Sequence, residues 1–173
     1  VNQTEQLSPL AEPDLRTTQQ LVERARRDGI TRFQVVALVH PGDADDYVLL
    51  LDHQGDDVWA LPVAEVRPTE NVALTLDWLC NEHLGLRSWS AEFATSAGYT
   101  TPDGNEVLQL AFDVPVPEGN RMTWKGACQW WHVGAEPSSL HRLARPMFDK
   151  FEQLQHVQHV QHVQQVAQLR SAE

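Results

Sequence analysis

The chain has 173 residues, a hydrophobic fraction of 42% and six tryptophans, which is one domain's length with enough apolar side chain for a sizeable core. A formal net charge of -11 argues against nucleic acid or an anionic membrane as a partner, and no basic run exceeds Arg24-Ala25-Arg26-Arg27. No apolar stretch reaches membrane-span length, the N-terminus lacks a signal-peptide pattern, and Cys80 and Cys128 fit neither a disulfide framework nor a metal spacing, so a soluble cytoplasmic protein with free thiols is expected.

Residues 1 to 12 are polar and without periodicity, which predicts a loose arm. A helix is expected from Pro13, where a missing N–H is harmless, through Leu15, Leu21, Val22 and Ala25 to Asp28-Gly29, a suitable left-handed cap. Thr31 to His40 is rich in β-branched residues and reads as a buried strand. After the turn at Pro41-Gly42-Asp43, Tyr47 to Asp52 reads as a second strand and Val58 to Pro62 as a short third segment. From Glu70 to His83 the apolar residues Val72, Leu76, Leu79 and Cys80 recur at helical spacing, followed by Leu84, and Gly85 ends the run. A long hairpin is expected from Trp89 to Val116, with Asp103-Gly104 as a two-residue turn. On its return strand Leu108, Leu110, Phe112 and Val114 alternate with Gln109, Ala111 and Asp113, giving an apolar and a mixed face. Met122 to Val133 reads as a last strand, and helix is expected from about Ser138. This order fits an α/β fold, a mixed sheet flanked by helices.

The segment from Leu61-Pro62-Val63-Ala64 through Glu70 to Glu82-His83-Leu84-Gly85-Leu86 resembles the signature box of the Nudix hydrolase superfamily. The likeness extends over about Phe33 to Leu140. It includes the run Leu49-Leu50-Leu51 before the box, Trp59-Ala60-Leu61-Pro62 at its mouth, and the later strand bearing Trp131. The resemblance implies an α/β/α sandwich over residues 13 to 152, with residues 153 to 173 as an extra C-terminal helical extension. It also implies Mg²⁺- or Mn²⁺-assisted cleavage of a diphosphate linked to another group, in which box glutamates hold the metal.

Laid over that box, the chain keeps the frame and loses most of the ligands. The first glycine falls on Ala64 and the first glutamate on Glu70. The bracing arginine falls on Trp78, the central glutamate on Leu79, and the paired glutamates on Glu82 and His83. Leu79 has no ligand atom, and His83 suits zinc or iron better than magnesium. The expectation is therefore a degenerate metal site, with no cofactor and no ordinary Mg²⁺-dependent hydrolysis. Two readings of the replacements stand side by side: drift at a site no longer used, filled by residues that stabilise the helix, or a small-molecule ligand in a pocket lined by Trp59, Trp78, Leu79, Trp124, Lys125 and Trp131. Glu82 and His83 are the candidates for metal-free acid–base chemistry. Under the alternative, an active divergent hydrolase, Glu70, Glu82 and His83 would hold Mg²⁺ or Mn²⁺.

The C-terminal Gln155-His156-Val157-Gln158-His159-Val160-Gln161-His162-Val163 has a period of three. In a helix its valines spiral instead of forming a coiled-coil stripe. An exposed helix follows, with its valines as a candidate homodimer contact and thus a third reading, a non-catalytic oligomerising or regulatory protein.

Overall fold

The computed structural model describes residues 10–44, 46–52, 58–117, 124, 126–132, 135, 140–141 and 144–171, the side chain of 159 excepted. Helix α1 spans Glu12–Arg27, with Pro13 in its first turn, acidic residues at its start and arginines at its end, matching the sign of the helix dipole at both termini. It closes in a Schellman arrangement: Gly29, at φ 90°, donates to the Arg26 carbonyl and Ile30 to that of Ala25. Leu10 is buried and bridges Ala91, so the described end of the expected loose arm is packed against the core.

Strand β1 (Arg32–Pro41) lies at the centre of a four-stranded mixed sheet. It pairs antiparallel with β4 (Val63–Glu65) and parallel with β6 (Glu106–Val116), which in turn pairs antiparallel with β5 (Glu92–Thr100). A second sheet joins β3 (Trp59–Ala60), β2 (Tyr47–Asp52) and β7 (Cys128–His132), all antiparallel. Strand β4 falls in the stretch between Pro62 and Glu70, for which the sequence predicted no strand. Its alternation puts Ala64 inside and leaves Val63 and Glu65 outside.

The hairpin is also corrected. Asp103-Gly104 does not form a two-residue turn; Thr101 and Asn105 close the loop by donating from Thr101 N–H to the Asn105 carbonyl and from Asn105 N–H to Thr101 Oγ1. Gly104, at φ 84°, takes the left-handed position of this longer loop. Of the expected last strand, residues 122–123, 125 and 133 lie outside the described residues, and β7 begins only at Cys128. The start expected for the final helix, Ser138, lies outside them too; helix α3 spans Arg145–Ser171.

The central sheet is buried on both faces. On one, Val35, Ala37, Val39, Leu110, Phe112 and Val114 meet Leu76, Leu79 and Leu84 of the box segment, with Leu15, Leu21 and Val22 of α1 at the edge. On the other, Val36, Leu38, Ala97 and Ala111 meet Met147, Phe148 and Phe151 of α3. The result is an α/β/α sandwich, with the C-terminal helix as one outer layer.

Helix α2 spans Val72–Trp78. Its N-cap is Asn71, whose Oδ1 accepts from Leu74 N–H at 2.8 Å, satisfying a donor that the helix itself cannot. The expected start at Glu70 is thus one residue too early for the cap, and the carboxylate lies outside the helix. Asn71→Ala should lower stability by about 1 kcal/mol in urea denaturation, and Asn71→Asp should leave most of it in place.

Candidate functional site

The box helix does not run on as an α-helix. Leu79–His83 form a π-helical turn, in which Leu84 N–H donates to the Leu79 carbonyl at 2.9 Å, and Gly85 ends it at φ 66°. Such wide turns recur at functional sites because they re-aim the residues they carry. In a continuous α-helix, positions 79 and 83 would lie one above the other. Here Leu84 stands over Leu79 instead, and both are fully buried. His83 is released from that face. The turn is braced outside by Trp89 Nε1 donating to Asn81 Oδ1 at 2.8 Å and Asn81 Nδ2 donating to Asp77 Oδ1 at 2.7 Å.

Cys80 sits inside the same turn, and burial pushes its thiol from the ordinary 9.0 up to about 12, with Asp77 adding a smaller push. The folded protein therefore holds this proton to higher pH than the unfolded chain. The associated stability is fully present below pH 9.0 and is lost as pH rises toward about 12. Thiol titration at pH 8 should count only the exposed Cys128 in the native protein and both cysteines in denaturant. Two reactive native thiols would contradict the burial.

Half-buried His83 stacks on Trp78, with ring centroids 5.3 Å apart, and meets the edge of Trp124 at 4.7 Å. His83 and Trp124 are on the wall of a cavity of about 290 Å³ between the box and α3. Apolar wall comes from Val36, Leu51, Leu61, Pro62 and Met147, and polar wall from Gln34, Tyr99, Gln109 and His141. None of the described wall residues is Asp, Glu, Lys or Arg.

The polar wall is ordered from one charge outside it. Arg32 Nε donates to Glu65 Oε1 at 3.0 Å, and the carboxylate raises the Arg32 pKa through that hydrogen bond first and its charge second. The other carboxylate oxygen accepts from Gln34 Nε2 at 2.9 Å. A carboxylate only accepts, so it fixes which end of the Gln34 amide faces it. Gln34 Oε1 is thereby turned the other way, where it accepts from Tyr99 Oη at 3.1 Å and from Gln109 Nε2 at 3.0 Å. Gln109 is 4% exposed, and its Oε1 has no hydrogen-bond partner among the described residues; neither has the buried Nε1 of Trp124.

Of the sequence-derived candidates, His83, Trp124 and, through its stack on His83, Trp78 come together at this cavity. Leu79 corrects the expectation: it is 0% exposed, packed against the sheet, and is not on the cavity wall. Trp59 and Trp131 pack against the α3-side core and are also not on the described wall, and the Trp131 indole N–H donates to the Ala135 carbonyl. Lys125 lies outside the described residues. Glu82 is exposed, and Glu70 lines a separate groove between α1 and the start of α2, 4.0 Å from Arg67. Glu70, Glu82 and His83 thus do not assemble as a ligand set, and no group of three metal-ligating side chains occurs among the described residues. The box residues do not fit a Mg²⁺ or Mn²⁺ centre, which needs several converging oxygens.

Gln34, Tyr99, Gln109 and His141 were not singled out by sequence reasoning as site residues. One signal was available for two of them: Gln34 interrupts an apolar strand between Phe33 and Val35, and Gln109 interrupts another between Leu108 and Leu110. A polar residue in a buried strand needs a partner or a ligand.

No family model matches the sequence, and no curated protein matches it significantly. The fold does match solved structures. A MutT NUDIX hydrolase from Burkholderia pseudomallei is similar at 17% identity and a TM-score of 0.55, over 68% of this chain and 95% of that one. The E. coli ORF135 protein is similar at 20% identity and a TM-score of 0.57, over 74% of this chain and 94% of that one. A MutT protein from Methanosarcina mazei Go1 is similar at 19% identity and a TM-score of 0.54, over 72% and 94%. The chain has a Nudix-like fold. Likeness at this identity speaks to architecture and leaves the reaction to the site.

Proposed function

We propose that this chain uses its Nudix-like fold to bind a small molecule in the cavity walled by His83, Trp124 and Gln109, without metal-assisted diphosphate hydrolysis. The observation that carries this reading is the cavity itself, apolar with a few oriented polar groups and no charged side chain on its described wall. The separation of Glu70, Glu82 and His83 supports it from the other side, because a metal-held diphosphate needs carboxylates that converge.

Ligand binding to the folded state alone raises apparent stability, by about 2.7 kcal/mol when ligand is 100 times its Kd. A thermal-shift screen of nucleotides, phosphorylated metabolites and neutral heterocycles should give stabilising ligands whose effect is the same in EDTA as in Mg²⁺. Turnover of a nucleoside diphosphate derivative that needs Mg²⁺ or Mn²⁺ and disappears in Glu82→Gln would overturn the proposal.

A further inference from the structure

We infer that His40 is held as an imidazolium through neutral pH by the two oxygens that flank its ring, and that it works as a pH-sensitive latch between β1 and β6, in a groove apart from the His83 cavity.

The charge follows from the geometry. His40 lies near the end of β1 and is 6% exposed. Its Nε2 is 2.9 Å from Asp113 Oδ1 on β6, and its Nδ1 is 2.7 Å from the Pro41 carbonyl oxygen. A carbonyl and a carboxylate only accept. A neutral imidazole has one N–H and one lone pair, so one of the two contacts would set lone pair against lone pair. With a proton on each nitrogen both contacts are hydrogen bonds, and the one to Asp113 is charge-assisted.

The Pro41 oxygen is not free to turn away. It also accepts from Ala44 N–H at 3.1 Å, and Gly42 N–H ties the same turn to the Val116 carbonyl at 2.9 Å. Asp113 is the movable partner, with its side chain 42% exposed.

The surroundings favour the same charge. His40 and Asp113 line a groove of about 510 Å³ between the sheet and α3, together with Asp43 from the turn and Glu92 from β5. Glu92 is the register partner of Asp113, a placement in which like charges destabilise a sheet. Helix α3 adds Phe151, Leu154, Gln155 and Gln158 to the wall and no charge. His40 is therefore the one group on the described wall able to carry positive charge, and it shares that wall with three carboxylates. Burial opposes the charged ring and nearby carboxylates favour it. The two hydrogen bonds that only the charged ring can make tip the balance.

When the proton leaves, the neutral ring keeps its Nδ1–H on the fixed Pro41 carbonyl, and Asp113 turns to water. The side-chain link from β1 to β6 opens, and Glu92 and Asp113 are left opposite each other without their cation. The folded chain thus holds this proton more tightly than the unfolded chain, whose histidines titrate near about 6.5. This share of stability is fully present below that pH and is lost as pH rises through the higher folded-state value.

The test is nitrogen-15 NMR of the full chain from pH 5.5 to 8.5, with the His40 ring signal assigned by its loss in His40→Gln. Both ring nitrogens should remain protonated at least about one pH unit above a free histidine, an approximately tenfold tighter hold on the proton. Asp113→Asn keeps the shape and can present an amide N–H to the ring, so a neutral imidazole then satisfies both contacts. In that variant the His40 signal should titrate about one pH unit lower than in the wild type. The urea midpoint of the wild type should also fall relative to the variant's as pH rises from 6.5 to 8.5. One protonated and one bare nitrogen on His40 at pH 7, or a titration point that Asp113→Asn leaves in place, overturns the latch. If Asp113→Asn does not fold, the wild-type nitrogen shifts decide alone.

Discussion

Leu79→Glu should destabilise the protein by about 3–5 kcal/mol and create no metal dependence, although the resemblance to the Nudix box would put a carboxylate at this position. The side chain is fully buried between the box turn and the sheet, among Leu76, Leu84 and the core residues of β1 and β6. A carboxylate there loses its water and meets no cation. Its pKa would rise, so the folded state would hold the proton that the unfolded chain gives up near pH 4.3. The penalty should therefore be smaller at pH 4 than at pH 8, because folded-state protonation helps below the unfolded pKa and is lost as pH rises. Urea denaturation at the two pH values measures this. A variant of near-native stability whose melting temperature rises with Mg²⁺ would refute the placement of residue 79.

Phe148→Ala is the second large effect, with an expected loss of about 3–5 kcal/mol. Phe148 is fully buried with Met147 and Phe151, and these three seal α3 on the sheet. The rest of the helix is different. Val157 is 50% exposed, Val163 52% and Leu169 73%, so little stability comes from that half. Ending the chain at Gln155 should accordingly change the unfolding free energy by no more than about 0.5 kcal/mol, the range of ordinary surface changes. The contrast tests where the domain stops. A truncated protein that loses stability in a concentration-dependent way would instead assign the exposed half to self-association.

How far the sequence led can be judged from particular segments. Strand β2 has its expected bounds, and the Gly29 and Gly85 stops were readable because only a left-handed residue closes a helix that way. His83 was a candidate from its place in the box and Trp124 as a nearby tryptophan, and the structure puts both on the wall of one cavity. The π-helical turn was not, because local periodicity does not distinguish an i→i−5 turn from an α-turn over five residues. Gln34, Tyr99 and Gln109 lie on three different strands, and their separation along the chain hides the hydrogen bonds that join them.

The sequence by itself therefore determined the layers and the Nudix-like frame, because those depend on residue type and spacing along the chain. Only the tertiary structure decided where Leu79 and His83 went. Leu79 turned into the core and His83 onto the cavity because a wider helical turn put Leu84, five residues on, where a straight α-helix would have put His83. Only the tertiary structure, too, linked a surface carboxylate to a buried amide. Strand pairing across the sheet brings Glu65, Gln34 and Gln109 into register, and hydrogen-bond polarity then passes from one to the next.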